Sequence, residues 1–417
     1  MRMRSATLLR NIGLLLNPRE DGAWDEIRDA ALLFDERIQM VGTESEILPG
    51  AGAWNADVVD AGGRLVTPGL VDSHTHPAFA EPRAAEFEMR NRGKSYQEIA
   101  AEGGGIRSSV RALRAISEDE LVERMLPRLD RFLELGTTTI EAKSGYGLTT
   151  EHELKQLRAI RRCNESHPLD LLPTLLAAHE IPDEYRSDKR RYLDLIIHET
   201  IPAAAGEKLA KFCDVFCEDG VFSVEESREV LETGKKYRMI PRLHADQLSD
   251  TGGAALAAEL QAASADHLDY ISEEGMEKMV EAGVVFTLLP GAVLFLGLNR
   301  FPPVRRIIAK GGKTALATDF NPGSSPTQNL PLMMTLACSY CKLSVREALW
   351  AATRGGARAL RIEDEVGSLD FGRKADLVLW TCKDERLLPY YFGVNQVGDV
   401  YKDGVRVVSD GKILRDE

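Results

Sequence analysis

The sequence predicts an α/β protein: a (β/α)8 barrel with a small β-sandwich domain built from both ends of the chain. Three observations predict this fold. The chain has 417 residues, which is long enough for one large barrel with additions. Between about residue 65 and residue 365, short apolar segments alternate with amphipathic helical segments. Residues 1–64 and 366–417 instead alternate apolar with polar residues around Asp-Gly turns, which is typical of antiparallel hairpins.

Eight segments of the central region are the predicted barrel strands, and most are rich in Val, Ile, Leu or Thr, as buried parallel strands tend to be. They are Leu65–Asp72, Thr137–Lys143, Leu171–His179, Cys213–Glu218, Ile240–His244, Ala265–Leu268, Val284–Leu289 and Thr314–Asp319. Helix starts between them follow the capping-box pattern, with Glu three residues after Ser or Thr: Ser117/Glu120, Thr150/Glu153, Ser223/Glu226 and Ser344/Glu347. We therefore expect residues 65–365 to form the barrel, and residues 1–64 and 366–417 the sandwich.

The composition limits the partners that the protein can have. A net charge of −13 argues against nucleic acid and anionic membrane surfaces, because both attract basic patches. No signal peptide or membrane-spanning segment is evident, so we expect a cytoplasmic protein that acts on a small molecule, without a membrane partner and as a homodimer. The six cysteines are widely spaced, and Cys338 and Cys341 are predicted to be buried thiols rather than half of a zinc site.

The most informative segment is Pro68–His76, an apolar strand that ends in two histidines one residue apart. Side chains at alternate positions of a strand share a face, so His74 and His76 can reach one metal ion. A bare His-x-His motif is equally consistent with loop histidines near a turn. Further polar residues at the ends of later strands favour the metal site, because barrel active sites lie at the C-terminal ends of the strands.

Those later residues are Lys143, His179, Glu218, His244, His267 and Asp319, on or just after the second, third, fourth, fifth, sixth and eighth predicted strands. Three imidazoles and one carboxylate make a ligand set that suits zinc or iron, with a water completing the coordination sphere. The sequence therefore predicts one metal ion held by His74, His76, His244 and Asp319.

These motifs resemble the amidohydrolase superfamily and, within it, the imidazolonepropionase family of histidine degradation. The stretches that carry the closer resemblance are Glu86–Arg90, Gly103–Ile106, Lys143–Leu148, His244–Gln247 and Thr318–Ser324. The resemblance implies one metal ion, because relatives with two ions use a carboxylated lysine at the end of the fourth strand. The predicted fourth strand, Cys213–Glu218, contains no lysine. Lys143 follows the second strand, where a structural or outer-shell role is expected.

The resemblance also implies a substrate, 4-imidazolone-5-propanoate, and the residues that bind it. Arg83 matches the family's arginine for the propionate tail, and a guanidinium suits this role because it binds a carboxylate through two hydrogen bonds. Tyr96 is a further candidate for the tail pocket. Tyr146 offers a hydroxyl and a ring face, and His179 is expected to donate to the carbonyl as it becomes an oxyanion. Asn321, Gly323 and Ser324 are placed around substrate or product.

The expected reaction is hydrolysis of the cyclic amide to N-formimidoyl-L-glutamate. Asp319 and His267 are the two candidates for moving the proton, and the sequence does not choose between them. A deaminase of a related heterocycle is the alternative with the same fold. Gln247 disfavours it, because deaminases of the superfamily generally carry a proton-shuttling Glu there, whereas a neutral amide suits recognition of a ring amide. A non-catalytic assembly protein is a further alternative, but such proteins typically lose metal ligands.

Overall fold

The structure is a computed structural model that describes residues 6–94, 98 and 103–415; Tyr96 lies outside the described residues. The strands in this part of the chain are β1 (Thr7–Pro18), β2 (Trp24–Phe34), β3 (Ile38–Thr43), β4 (Asp57–Asp60), β5 (Leu65–Pro68), β6 (Leu70–Asp72), β7 (Thr137–Lys143), β8 (Asp170–Ala178), β9 (Phe212–Cys217), β10 (Ile240–Ala245), β11 (Ser264–His267), β12 (Val285–Leu288), β13 (Thr314–Leu316), β14 (Leu377–Trp380), β15 (Val397–Lys402), β16 (Val405–Ser409) and β17 (Lys412–Ile413).

The α-helices in the same described ranges are Glu44–Ala51, Ala84–Asn91, Ile106–Ala115, Glu118–Glu134, Thr150–Ser166, Lys189–Leu195, Ile201–Gly206, Val224–Lys236, Gly253–Glu259, Glu273–Ala282, Pro290–Phe295, Val304–Ala309, Leu330–Ser339, Val345–Trp350, Gly356–Ala359 and Leu387–Tyr390. Short π-helical segments at Ile196–Thr200 and Ala351–Gly355 join successive helices, and Asp183–Tyr185 forms a short 3₁₀ helix. None of the helices in the described residues is long and apolar enough to cross a membrane.

Strands β6 to β13 form the predicted barrel. Each pairs in parallel with its neighbour in sequence, from β6 through to β13. The barrel closes just beyond these strands, where Thr75 and Phe320 form a parallel bridge. The buried Asp72 carboxylate also joins the first and last strands, because it accepts from the Thr318 hydroxyl at 2.6 Å and the Thr318 amide at 3.1 Å. The (β/α)8 fold is thus confirmed.

The strands of both termini meet in a mixed sheet, which confirms that the second domain is composite. Its order is β17-β16-β15-β14-β5-β1-β2-β3, with β4 also paired to β1. The two halves join where β14 runs antiparallel to β5. The predicted Asp-Gly turn between β15 and β16 is present, because Asp403 and Gly404 have φ values of 47° and 73°, the left-handed backbone that such two-residue turns require.

Two details of the sequence prediction were wrong. Leu65–Asp72 is not one barrel strand, because β5 belongs to the terminal sheet and only β6 enters the barrel. The chain crosses between the sheets at Gly69, where any Cβ would overlap the Thr138 side chain. Three capping boxes are confirmed, but helix Thr150–Ser166 is capped by Thr149 instead of Thr150. The division into residues 1–64 with 366–417 and residues 65–365 stays a prediction.

Candidate active site

Four polar side chains meet at the C-terminal end of the barrel: His74, His76, His244 and Asp319. Nε2 of His74 lies 3.2 Å from Nε2 of His76. Oδ1 of Asp319 lies 3.5 Å from the first of these nitrogens and 3.6 Å from the second. The His244 ring centroid is 4.5 Å from that of His74, and all four side chains are buried. The structure therefore brings the predicted metal ligands together.

The barrel backbone explains how these side chains converge. His74 and His76 are alternate residues that follow β6, so they share a face, and their ring centroids lie 5.2 Å apart. Two further residues use left-handed backbone at the ends of their strands, His267 with φ 77° and Asp319 with φ 55°. Such values are uncommon outside glycine and concentrate at functional sites. His267 joins the cluster, because one of its ring nitrogens lies within 4.8 Å of ligand atoms of His74 and Asp319.

The spacing of these atoms fits a single metal ion. Ligand atoms about 2.0–2.1 Å from a tetrahedral ion lie roughly 3.3 Å from one another. The spacings of 3.2 Å, 3.5 Å and 3.6 Å among His74, His76 and Asp319 agree with this value. Three imidazole nitrogens and a carboxylate oxygen are also the donor set that zinc and iron accept.

Two buried carboxylates set the orientation of the ligand histidines. Asp266 Oδ2 lies 2.6 Å from Nδ1 of His74, and Asp214 Oδ1 lies 3.2 Å from Nδ1 of His244. Each carboxylate accepts the Nδ1–H of its histidine, so the lone pair of Nε2 is left for the ion. Such carboxylate–histidine pairs fix both the tautomer and the ring angle of a metal ligand.

Burial also sets the protonation of the cluster. Desolvation holds the pKa of His74, His76 and His267 well below the usual histidine range, so these rings are neutral at neutral pH. Neutral imidazole is the form that binds metals. Burial raises the pKa of the Asp319 carboxyl to about 7, and the nearby His244 opposes that rise.

Arg83 reaches the mouth of the barrel from the loop that follows the first barrel strand. Its guanidinium packs so closely on Gly323 that a Cβ there would overlap Nη2 of Arg83. Its Nε is buried and has no hydrogen-bond partner among the described residues, while Glu86 lies 3.9 Å away. The carbonyl of Gly323 accepts from Arg90 at 3.4 Å. Arg83 therefore has donor capacity for an anion beside the loop that follows β13.

A buried carboxylate builds the loop that carries Tyr146. Glu153 accepts from the amides of Gly145, Gly147 and Leu148 at 3.0 Å, 2.9 Å and 2.7 Å. This inward role explains why the predicted Thr150/Glu153 capping box is absent. Tyr146 itself is buried, with its ring centroid 6.2 Å from that of His76.

His179 stacks on His76, with ring centroids 5.3 Å apart and an interplanar angle of 20°. Its Nδ1 lies 2.9 Å from the carbonyl oxygen of Gly145, and burial lowers its pKa to about 3. Nδ1 of the neutral ring must therefore donate to that carbonyl, which leaves Nε2 as an acceptor. This differs from the sequence expectation that His179 donates to an oxyanion, because a neutral ring has one N–H and it is already used.

Two loops carry the remaining predicted residues. Glu218 accepts from the amide of Gln247 at 3.1 Å and fixes the loop after β10, so its carboxylate has a structural partner. In the loop after β13, the amide group of Asn321 contacts the Asp319 carbonyl at 2.6 Å and the Ser324 hydroxyl at 2.8 Å. That hydroxyl donates to Oδ2 of Asp319 at 3.1 Å, which leaves Oδ1 facing the histidines.

A layer of buried charged side chains beneath the cluster was not predicted from the sequence. Its members Glu141, Asp214, Arg242 and Asp266 are fully buried, and Lys143 lies among them. Part of their signal was present in the sequence: Asp214 lies in an otherwise apolar strand, and Glu141 and Arg242 stand two residues before Lys143 and His244. Alternate residues of a barrel strand share the inward face, so polar residues at these positions point into the barrel.

Comparison with known proteins agrees with the fold and shows the family. The chain matches the amidohydrolase family over residues 65–413. It is 48% identical to the imidazolonepropionase of Symbiobacterium thermophilum over 400 residues, which cover 94% of both chains. It is 49% identical to the imidazolonepropionase of Myxococcus xanthus over 88% of this chain and 87% of that one.

The solved structures with similar folds include an adenosine deaminase from Xanthomonas campestris with bound zinc. That structure covers 99% of this chain and 94% of its own, with a TM-score of 0.74 and 19% identity. Guanine deaminase of E. coli gives a TM-score of 0.72 at 16% identity, over 97% of this chain and 100% of that one. These likenesses concern the fold alone. On the family match and the close relatives together, the chain belongs to the amidohydrolase family and, within it, to the imidazolonepropionases.

Proposed function

We propose that this protein hydrolyses the cyclic amide of 4-imidazolone-5-propanoate to N-formimidoyl-L-glutamate in histidine degradation. The observations that carry the proposal are the buried cluster of His74, His76, His244 and Asp319, and the guanidinium of Arg83 against Gly323 in the loop that follows Asp319. They occur in a chain that is 48% identical to a named imidazolonepropionase over nearly its full length. A carboxylated cyclic amide needs both an activated water and a cationic partner for its tail, and the site offers groups for each.

The reaction breaks one bond of the ring. A water oxygen bonds to the ring carbonyl carbon, and the bond between that carbon and the adjacent ring nitrogen breaks. One proton of the water ends on that nitrogen, which becomes part of the formimidoyl group. The other is lost as the former carbonyl carbon becomes the α-carboxylate of the product.

His74, His76, His244 and Asp319 would hold one zinc or iron ion. When bound, such an ion supplies Lewis acidity, which activates water and polarises a carbonyl oxygen. A single ion is supported by the fourth barrel strand, β9, whose residues Phe212–Cys217 include no lysine for a carboxylated bridge. Lys143 does not offer itself as that bridge, because its ammonium is paired with Glu141 and Asp214, each at 2.6 Å.

The protein's own groups move the proton. His267 is buried beside the cluster, and its Nδ1 has no hydrogen-bond partner among the described residues. Asp319 shares the cluster, where its Oδ1 faces the histidines and its carboxylate can accept a proton from a nearby water. We propose these two residues as the groups that take the proton from water and pass it to the ring nitrogen.

The remaining residues bind and orient the substrate in this proposal. Arg83 pairs with the propionate through its free donors. His179 accepts a hydrogen bond from a ring N–H through Nε2, and Gln247 and Tyr146 contact the ring. The loop that contains Asn321, Gly323 and Ser324 closes the pocket beside Asp319.

The deaminase alternative is weaker. Its support is the likeness to deaminase structures, which share 16–19% identity with this chain and therefore speak for the fold only. Gln247 stands where a proton-shuttling Glu is expected in deaminases, and a carboxamide cannot exchange a proton in that way. The homodimer and the cytoplasmic location stay predictions.

Turnover of 4-imidazolone-5-propanoate by the purified protein tests the proposal. We expect the substrate to disappear, N-formimidoyl-L-glutamate to appear in equal amount by mass spectrometry, and no ammonia to be released. His244→Ala protein is the control and should be inactive. Ammonia release in step with substrate loss, or no turnover by metal-loaded protein, would contradict the proposal.

A further inference from the structure

Beneath the histidine cluster lies a sealed network of five charged residues, which we call the charge layer: Glu141, Lys143, Asp214, Arg242 and Asp266. All five side chains have no exposed surface. They come from β7, β9, β10 and β11 and fill the barrel interior. The layer contains three carboxylates and two cations, so it is nearly balanced within itself. Burying so many charges is costly unless each is paired, which makes the arrangement worth explaining.

Lys143 connects two of the carboxylates. Its Nζ lies 2.6 Å from Oε1 of Glu141 and 2.6 Å from Oδ2 of Asp214. These are short, charge-assisted contacts. Both oxygens of Asp214 face His244: Oδ1 lies 3.2 Å from its amide and from its Nδ1, and the lysine-bound Oδ2 lies 3.1 Å from Nδ1. A path of direct contacts therefore runs from Lys143 through Asp214 to a proposed metal ligand.

Arg242 makes the corresponding path on the other side. Its Nη2 lies 3.0 Å from Oδ2 of Asp266, and the same oxygen lies 2.6 Å from Nδ1 of His74. The guanidinium also donates to the backbone carbonyls of Ser73, which follows β6, and Ala359, so it connects the charge layer to the backbone. Arg242 therefore binds backbone as well as carboxylates, whereas the hydrogen bonds of the Lys143 ammonium go to the two carboxylates. A substitution of Lys143 is therefore easier to interpret.

We propose that Lys143 is a positioning residue for the metal site: it fixes Asp214, and Asp214 fixes the ring of His244. The inference rests on the proposed function, because it presumes that His244 binds the ion. Without the ammonium, Glu141 and Asp214 lose their shared cation and Asp214 turns toward other donors. His244 then loses the acceptor that sets its tautomer and ring angle. Loss of such an outer partner typically weakens metal binding by about 10- to 100-fold.

The test compares Lys143→Met with a matched control, Lys402→Met. Lys402 is equally buried and also pairs with carboxylates, those of Asp170, Asp376 and Asp403. It lies at the opposite end of the barrel, since Asp170 begins β8. Each variant removes the ammonium from a buried carboxylate, Asp214 in the first and Asp376 in the second, so both should lower stability in urea unfolding. Only one of them touches the proposed path to the ion.

The primary readout is metal affinity, measured by competition of zinc between the protein and a chromophoric chelator. We expect Lys143→Met to weaken zinc binding at least tenfold and Lys402→Met to change it less than twofold. The visible spectrum of the cobalt-loaded protein should change in the first variant and not in the second. At saturating metal, Lys143→Met should lower kcat more than it changes KM, because the substrate pocket is untouched.

A second comparison asks whether Lys143 acts through Asp214. In Asp214→Asn protein, adding Lys143→Met should change zinc affinity less than twofold, since the link is already broken. If Lys143→Met does not fold, Lys143→Gln replaces it in both comparisons. The inference is overturned if the Lys143 variant binds zinc like the wild type, if Lys402→Met weakens binding equally, or if the two substitutions act independently. Wild-type protein that binds no metal would instead refute the proposed function.

Discussion

Gly323→Ala should have the same effect on substrate binding as Arg83→Ala, because it displaces the Arg83 guanidinium. The new methyl group would overlap Nη2 of Arg83 and lie 2.9 Å from its Nε, so the guanidinium has to leave its position. Gly323 lies outside the left-handed region of the backbone, so alanine brings no strain of its own. Because only the end of a flexible side chain must move, we expect the free energy of unfolding to change by less than about 0.5 kcal/mol.

The effect on substrate binding should be much larger. Displacing Arg83 removes a charge-assisted pair with the propionate that is worth about 2–4 kcal/mol in a desolvated pocket. That energy corresponds to a roughly 30- to 900-fold loss in kcat/KM, expressed mainly as a rise in KM. A substrate analogue without the propionate should lose little.

Steady-state kinetics of four proteins provide the assay: wild type, Gly323→Ala, Arg83→Ala and the double variant. With Arg83 absent, the added methyl group should cost less than about twofold in kcat/KM, because the two changes remove the same interaction. Gly206→Ala, whose new methyl group meets nothing within 4 Å, is the matched control and should keep wild-type kinetics. Wild-type KM in Gly323→Ala, or full additivity in the double variant, would refute the reasoning that the methyl group acts by displacing Arg83. Wild-type KM in Arg83→Ala would refute the pairing of Arg83 with the propionate.

Four other outcomes are expected. His244→Ala should abolish turnover and lose metal by elemental analysis while its circular dichroism stays native, because a catalytic ion does not hold a barrel together; retained metal with activity would remove His244 from the ligand set. Gln247→Glu should lower kcat/KM by less than about tenfold, about 1.4 kcal/mol, because it adds negative charge near an anionic substrate. A several-fold higher kcat with a new titration in the pH profile would show instead that this position moves protons. Glu153→Gln should lower the free energy of unfolding by about 1–3 kcal/mol and raise KM. The carboxamide replaces one acceptor oxygen with an N–H donor, which faces the backbone amides of the Tyr146 loop. Unchanged urea unfolding would contradict this. Chelation should inactivate the protein and lower its Tm, and zinc or iron should restore both; full activity after complete metal removal would argue against a metal site.

The barrel was predictable because its strands are buried on both faces and therefore are largely apolar segments between helices. The division of Leu65–Asp72 was not predictable from the same signal. Both β5 and β6 are fully buried, so hydrophobicity does not show that they belong to different sheets. The crossing depends on Gly69 fitting against Thr138, a contact between residues 69 positions apart.

The metal ligands were predictable from local spacing, whereas their partners were not. His74 and His76 form a His-x-His motif at the end of an apolar segment, which is visible in the sequence alone. Asp266 meets His74 only because the barrel brings β11 opposite the end of β6, a register that no local pattern contains. The packing of Arg83 on Gly323 likewise joins loops 240 residues apart in sequence. Contacts of this kind depend on how the barrel closes, and the periodicity of the sequence does not show which distant residues closure brings together.

Isotope labelling tests the central claim most directly. Hydrolysis of 4-imidazolone-5-propanoate in H₂¹⁸O should place one ¹⁸O atom in the α-carboxylate of N-formimidoyl-L-glutamate, with none released into another product, because water attacks the ring carbonyl beside the cluster of His74, His76, His244 and Asp319. The label is read from fragment masses after a single turnover. An ¹⁸O atom in a formyl group, or release of ammonia with the ring carbonyl unlabelled, would mean that water attacks a different carbon and would contradict the account.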